Sequence, residues 1–110
     1  MSDFTDFLAE VFADLGPIRA RRMFGGYGIY IDGLMFALVA DDTLYLKTDK
    51  ASSIRFEEKG LTPFEYMKNG KPVKMSYYLA PEEIYEDPDI ALEWGKLAID
   101  AALRSNKKNA

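Results

Sequence analysis

The chain has 110 residues, with 14 basic and 18 acidic side chains and a formal net charge of −4. This length fits one domain, 1–110, and the acidic balance disfavours a large phosphate-binding surface, because non-specific nucleic-acid affinity grows with the number of Lys and Arg contacts. Cysteine and histidine are absent, which excludes disulfides, thiol nucleophiles and the zinc sites and catalytic pairs that use these residues.

The first predicted element is an amphipathic helix of about three turns. Ser2 or Asp3 is placed to cap its N-terminus, and Gly16-Pro17 is a stop signal. Its apolar face comprises Phe4, Phe7, Leu8, Val11, Phe12 and Leu15. We expect this face to cover a sheet, with a helix that binds a partner groove as the alternative.

The N-terminus has neither the basic segment nor the apolar run of a secretory signal. No apolar stretch of the chain approaches the roughly 18 residues of a membrane span. We therefore expect a cytoplasmic protein that does not interact with membranes.

The segment Arg19 to Phe24 is predicted to be an edge strand. Alternation places Arg19 and Arg21 on one face and Arg22 on the other. An exposed edge favours pairing with a second copy of the chain, whereas its arginines would oppose such pairing. The sequence thus leaves monomer and homodimer open.

Three glycines, Gly25, Gly26 and Gly28, follow this strand. Glycine permits positive φ and close backbone approach, so the three predict a tight turn or a bulge between strands. A phosphate-binding loop is the alternative, but such loops lead into a helix N-terminus and this one leads into the strand-like Tyr27 to Ile31. We expect no nucleotide or other cofactor.

Asp32-Gly33 predicts a two-residue hairpin turn. The predicted pairs are Ile31 with Leu34, Ile29 with Phe36 and Tyr27 with Leu38. A second reversal is predicted at Asp41-Asp42, with a three-residue loop that aligns Leu44 with Ala40 and Leu46 with Leu38. We interpret Asp41-Asp42 as a turn and not as half of a metal site, because the regular spacing of a calcium loop is missing.

Asp49 is predicted to cap a short helix, Lys50 to Lys59, which Gly60 ends. Asn69-Gly70 then predicts a second hairpin with a type I′ turn. Its predicted pairs are Phe64 with Met75, Glu65 with Lys74 and Tyr66 with Val73. The opposite charges of Glu65 and Lys74 support this register.

Five acidic residues lie in a short segment after Pro81: Glu82, Glu83, Glu86, Asp87 and Asp89. We expect them to stabilise helix starts, with Asp87-Pro88 as the N-cap and first residue of a last helix that runs to about Arg104, before a frayed tail from about residue 105. An acidic docking patch for a protein partner is the alternative.

The order of these elements predicts an α+β fold. We expect an antiparallel sheet of about five or six strands, built from a meander and a hairpin, with the N-terminal and C-terminal helices packed mainly on one face. The other face is then the strongest candidate for function.

On that other face we expect Tyr30, Tyr45, Lys47, Lys74 and Tyr78 to meet. Tyrosines among lysines suit a protein interface and also the stacking of single-stranded nucleic acid. A solvated face, or one covered by a helix, is the remaining alternative.

The three arginines of the edge strand, Arg19, Arg21 and Arg22, are further candidate contacts for a protein or nucleic acid. A nucleophilic Ser76–Lys74 dyad is formally possible, but an ordinary alternating surface explains these two residues better. We therefore expect no catalytic residues, no metal site and no enzymatic activity.

Three blocks of residues, in a fixed order along the chain, form a recognisable pattern. They are Arg21-Arg22-Met23-Phe24-Gly25-Gly26 with Tyr27-Gly28-Ile29-Tyr30, then Phe36-Ala37-Leu38 with Leu44-Tyr45-Leu46-Lys47, then Met75-Ser76-Tyr77-Tyr78 with Pro81-Glu82-Glu83. With Trp94 in the closing helix, they resemble the TfoX N-terminal domain family, the domain shared by the TfoX and Sxy regulators of bacterial competence, here in a single-domain form. The resemblance implies a non-enzymatic, cytoplasmic role in transcription regulation of DNA uptake genes, with the cyclic-AMP receptor protein as partner.

Overall fold

The computed structural model describes residues 2–23 and 25–109 and confirms an α+β fold. In chain order its elements are α1 (Asp3–Val11), β1 (Arg19–Met23), β2 (Gly26–Ile31), β3 (Leu34–Ala40), β4 (Thr43–Lys47), α2 (Ser53–Glu58), β5 (Pro63–Lys68), β6 (Lys71–Leu79), a 3₁₀ helix (Glu82–Tyr85) and α3 (Pro88–Asn109). The described strands form one antiparallel sheet in the order β1-β2-β3-β4-β6-β5. β1 is therefore an edge strand, as predicted; Phe24, its predicted last residue, lies outside the described residues.

The core lies between one face of the sheet and the helices. Phe12, which follows α1, packs edge-on against Phe36 of β3 with ring centres 5.4 Å apart. Trp94 of α3 packs edge-on against Phe56 of α2 at 4.8 Å. These aromatic contacts join helices and sheet in one hydrophobic core.

Capping residues fix where the helices begin. The Ser2 hydroxyl accepts a hydrogen bond from the Thr5 N–H at 3.1 Å, and the Thr5 hydroxyl accepts one from the Ser2 N–H at 3.1 Å, which completes a capping box. At α3 the Asp87 carboxylate accepts a hydrogen bond from the Asp89 N–H at 2.9 Å. The predicted N-caps of the first and last helices are thus confirmed.

Helix lengths differ from those predicted. α1 ends at Val11, before the predicted stop at Gly16-Pro17, and α3 continues beyond Arg104 to Asn109. Among the described residues, no helix is both long enough and apolar enough to cross a membrane.

Two of the predicted turns are confirmed. Asp32 and Gly33 have φ values of 49° and 78°, and Asn69 and Gly70 have values of 52° and 79°, as type I′ turns require. In the second hairpin the predicted pairs of Glu65 with Lys74 and Tyr66 with Val73 are present.

A bulge at Phe36 changes the register between β2 and β3. The observed pairs are Ile31 with Leu34, Tyr30 with Met35, Ile29 with Ala37 and Tyr27 with Val39. The predicted pairs of Ile29 with Phe36 and Tyr27 with Leu38 are therefore wrong. Because the bulge adds one residue to β3, Phe36 and Ala37 are both fully buried.

The predicted three-residue loop between β3 and β4 is also wrong. Ala40 pairs with Thr43, which leaves a two-residue turn in which Asp41 and Asp42 have positive φ values of 51° and 53°. The tighter turn pairs Leu44 with Val39 and Leu46 with Ala37, so that these buried side chains share the core face.

Asp49 joins the segment before α2 to the end of α3. It does not cap a helix at Lys50; α2 begins at Ser53, and the Asp49 carboxylate accepts hydrogen bonds from the Ser52 N–H and from the Arg104 guanidinium. The Arg104 hydrogen bond, and more weakly that of Ser52, hold the pKa of Asp49 well below its ordinary value of about 3.9, against an opposing effect of burial.

Asp49→Asn is expected to make stability less sensitive to acid. The native state favours the charged carboxylate, so its contribution is present above about pH 4 and is lost as the pH falls from 4 towards 2. At pH 6 we expect Asp49→Asn to lower the free energy of unfolding by about 1 kcal/mol. The effect is modest because Asp49 and Arg104 are both partly solvent-exposed. Urea unfolding of the parent and the variant at pH 6 and pH 2.5 measures this difference, with the exposed Glu58→Gln as control. If Asp49→Asn lowered the free energy of unfolding equally at both pH values, the prediction would be contradicted.

Candidate partner-binding face of the sheet

The sheet face away from the helices carries a row of cations and tyrosines, which we term the basic face. Its members are Arg19, Arg21, Tyr30, Lys47 and Tyr77. Arg19 pairs with Tyr30 and Lys47 pairs with Tyr77, and directly paired side chains of antiparallel strands lie on the same face. Arg21 joins them because it lies two residues after Arg19 on β1.

Each of two cations of the basic face lies over a tyrosine ring. The Arg21 guanidinium carbon is 5.6 Å from the Tyr30 ring centre, and the Lys47 Nζ is 5.1 Å from the Tyr77 ring centre. Both distances lie within the range of cation–π attraction. The rings therefore hold the charges in place against the sheet.

Burial changes the electrostatics of this row. Burial, with a smaller contribution from the nearby Tyr30, raises the pKa of Tyr77 to about 12. Burial also lowers the pKa of Lys47, and the charge of Asp49 partly offsets this. A cation that has already lost part of its hydration gives up less on binding an anionic partner, so Lys47 is prepared for such a contact.

Two open clefts flank Tyr30. One, of about 460 Å³, is lined by Pro17, Ile18, Arg19, Arg21, Tyr30, Asp32 and Gly33. The other, of about 330 Å³, is lined by Tyr30, Lys47 and Tyr77 together with Ala102, Ser105 and Asn106 of α3 and residues 33–35. The basic face thus has concave sites that suit inserted side chains.

Beside this row the same face is apolar. Tyr45 pairs with Leu38 and Leu79, and its ring packs edge-on against Phe64 with centres 5.0 Å apart. Leu38 is only 4% exposed, whereas the other three are partly exposed. An aromatic and aliphatic centre beside charged groups is typical of protein interfaces.

Lys74 and Tyr78 do not lie on this face, which corrects the prediction. Tyr78 pairs with Leu46 on the helix-covered side, contacts the Phe56 ring at 5.7 Å, and donates a hydrogen bond to the Glu57 carboxylate at 2.7 Å. Lys74 lies four residues earlier on β6 and shares that side, opposite Glu65. Ser76 lies between Lys74 and Tyr78 in the same alternation and therefore shares their side of the sheet. The predicted position is thus wrong for all three of these β6 residues.

Tyr77 is the residue that sequence reasoning missed. It occupies the position predicted for Tyr78 because β6 pairs with β4, a strand distant in sequence, in a register that the local turns do not set. The opposite orientation of Arg22, predicted from alternation, is confirmed by its pairing with Tyr27 on the helix side.

The acidic residues after Pro81 take separate positions. Glu82 and Glu83 lie in the first turn of the 3₁₀ helix, and Glu83 forms an ion pair with Lys59 at 3.1 Å. Asp87 caps α3, and Asp89 lies in its first turn. These contacts support a structural role for this segment, while a docking role stays a prediction.

Known proteins resemble this chain over most of its length. The model of the TfoX N-terminal domain matches residues 10–102. Protein Sxy of Escherichia coli (strain K12) is 32% identical over 95 residues, which cover 86% of this chain and 46% of Sxy. The DNA transformation protein TfoX1 of Aliivibrio fischeri (strain ATCC 700601 / ES114) is 34% identical over 74 residues, which cover 67% of this chain and 35% of TfoX1. The chain spans less than half the length of either relative.

Proposed function

The chain belongs to the TfoX N-terminal domain family, and on that premise we propose that it is a non-enzymatic interaction domain in the regulation of DNA transformation competence. It acts on transcription through a protein partner, and the partner is the cyclic-AMP receptor protein. The relative TfoX1 is a DNA transformation protein by name, which supports a role in this process. The partner and the link to transcription are part of the proposal.

The observation that supports a protein partner is the basic face beside its apolar centre. In residues 2–23 and 25–109, the ion pairs at hydrogen-bonding distance leave out Arg19, Arg21 and Lys47. These cations are therefore available to carboxylates of another molecule. Complementary charges around an apolar centre give an interface its orientation and its association rate.

Titration of the chain into purified cyclic-AMP receptor protein, with cyclic AMP present, tests the proposal. We expect a saturable complex with a Kd of about 1–100 μM, because the face is small and partly polar, as in transient complexes. Heat released on mixing and sedimentation of the complex measure it. The proposal fails if the chain binds neither the receptor protein in the titration nor any other protein in pull-downs, while it binds DNA tightly and in a salt-sensitive manner.

Direct nucleic-acid binding is the second candidate function. The stacking of Arg21 on Tyr30 and of Lys47 on Tyr77 favours it, since single-stranded nucleic acid uses cations and aromatic rings together. The net charge of −4 opposes it. The same titration with a single-stranded oligonucleotide in place of the receptor protein separates the two candidates.

A further inference from the structure

A further cleft lies on the helix side of the molecule, between the end of α1 and the segment that joins the 3₁₀ helix to α3. It measures about 330 Å³, and we term it the acidic groove. Its lining residues are Phe7, Glu10, Val11, Ala13, Asp14, Ile84, Tyr85, Glu86, Asp87 and Pro88. The acidic groove lies at the start of α3, whereas the end of α3, at residues 102–106, lines a cleft of the basic face; the two surfaces share no lining residue.

The floor of the acidic groove is apolar and rigid. Phe7 belongs to the helix face predicted to be core, yet it is 39% exposed. Its ring stacks on Tyr85 with centres 6.0 Å apart and an angle of 27° between the planes. An exposed ring that is already held by a neighbour loses little conformational entropy when a ligand covers it. Phe7 is therefore suited to contact a partner side chain.

Two acids of the rim are not accounted for by the stability of the fold. Glu10 lies in the last turn of α1, where there is no basic residue, and Asp14 follows three residues after the end of the helix. This is the negative end of the helix dipole, where carboxylates are unfavourable. Asp87, by contrast, caps α3. Both carboxylates are exposed on the rim, so a cationic ligand could reach them without disturbing the fold.

The carboxylates of the groove take no part in the ion pairs found among residues 2–23 and 25–109. Within the described part of the chain, the ion pairs found involve Glu93, Glu83 and Asp49, and none of these lines the groove. Nor do three or more carboxylates of the described residues come together in a way that would hold a metal ion. The groove therefore offers spaced negative charges over an apolar floor.

We propose that the acidic groove binds a basic amphipathic peptide segment of a partner protein. An apolar side chain of the segment packs on Phe7 and Val11, and its Lys or Arg side chains contact Glu10, Asp14 and Glu86. The size of the cleft suits single side chains and not a folded surface. This site goes beyond the proposed function and does not depend on it, since it uses none of the residues of the basic face.

NMR titration of the full chain with a synthetic amphipathic helical peptide of leucine and lysine tests the proposal. We expect amide shifts confined to α1 and residues 84–88. The triple variant Glu10→Gln, Asp14→Asn, Glu86→Gln should bind the peptide about tenfold more weakly, because three exposed charge pairs are lost. It should melt at the same temperature as the parent or a few degrees higher, since acids at a helix C-terminus are removed.

The matched control is Glu58→Gln, Glu65→Gln, Asp100→Asn, which removes the same charge from exposed positions outside the groove. It should change the affinity by less than about twofold. Phe7→Ala tests the apolar floor and should weaken binding while leaving its salt dependence unchanged.

Four results would overturn the proposal. Equal weakening by the groove variant and the control variant would show attraction to net charge alone. Amide shifts on the basic face, or no binding at all, would place the peptide elsewhere or nowhere. Equally tight binding of spermidine in the groove would identify a site for small polyamines.

Discussion

Gly26→Ala is expected to unfold the protein or to lower its free energy of unfolding by about 3 kcal/mol or more. A Cβ at position 26 would lie 1.9 Å from the carbonyl oxygen of Val39 and 3.0 Å from its carbonyl carbon. These are backbone atoms of β3, which pairs with strands on both sides, so they cannot move aside as a side chain would. The loss is large against the roughly 5–15 kcal/mol that stabilises an ordinary domain.

Gly25→Asn is the matched control for this variant. Gly25 has a φ of +76°, and a Cβ there would meet no atom within 4 Å. Asparagine tolerates this left-handed conformation, so the control should cost less than about 1 kcal/mol. Urea unfolding followed by the fluorescence of Trp94, which is 6% exposed in the core, measures both variants. A Gly26→Ala protein within 1 kcal/mol of the parent would contradict the close-approach argument.

The glycine motif therefore combines separate physical requirements. Gly25 supplies a positive φ, and Gly26 allows the close approach of β3. Gly28 leaves room on the sheet face for the Met23 sulfur and the Tyr30 ring, which a Cβ would meet at 3.0 and 3.1 Å. The sequence predicted a turn and a close approach here but did not assign each to its residue, because the approaching strand is identified only by the tertiary register.

The two hairpin turns and the register beside the second of them could be predicted from the sequence. Asp32-Gly33 and Asn69-Gly70 determine their own type I′ turns, and the charges of Glu65 and Lys74 indicate the register of their hairpin. The turn at Asp41-Asp42 is one residue shorter than predicted. Local chemistry does not indicate it, because two consecutive aspartates at positive φ are unfavourable by themselves. The packing of Leu44 and Leu46 in the core offsets that cost.

The sequence predicted only part of the candidate site, because the pairing of strands distant in sequence decides which side chains share the basic face. Alternation predicted that Arg19 and Arg21 share one face of β1, but no register between β1 and β2 was predicted, so only the structure places these arginines beside Tyr30. Tyr77 joins them through β4, about 30 positions away along the chain, and no turn fixes that register. The acidic groove depends on how α1 packs beside the 3₁₀ helix, for which the helical pattern of Phe7 gave the wrong orientation.

Reversal of two charges on the basic face, Arg21→Glu with Lys47→Glu, is expected to weaken the proposed complex with the cyclic-AMP receptor protein about 100-fold. Interface residues of this kind cost about 2 kcal/mol or more when removed, and reversed charges add repulsion against an acidic partner. The substitutions also remove both cation–π contacts, which orient the charges over Tyr30 and Tyr77. Transcription of DNA uptake genes should fall in parallel with the affinity.

The control Arg22→Glu with Lys96→Glu separates the position of the charges from their sum. Both residues are exposed, and the pair lowers the net charge by the same amount, but Arg22 pairs on the helix side of β1 and Lys96 lies on α3. We expect less than about a threefold change in affinity, because charges beyond a Debye length of about 8 Å are largely screened at physiological salt. Equal weakening by both pairs would mean that net charge alone governs binding, and an unchanged affinity for the first pair would remove the basic face from the interface. Far-UV circular dichroism of both proteins must match that of the parent, so that the difference reflects the interface and not the fold.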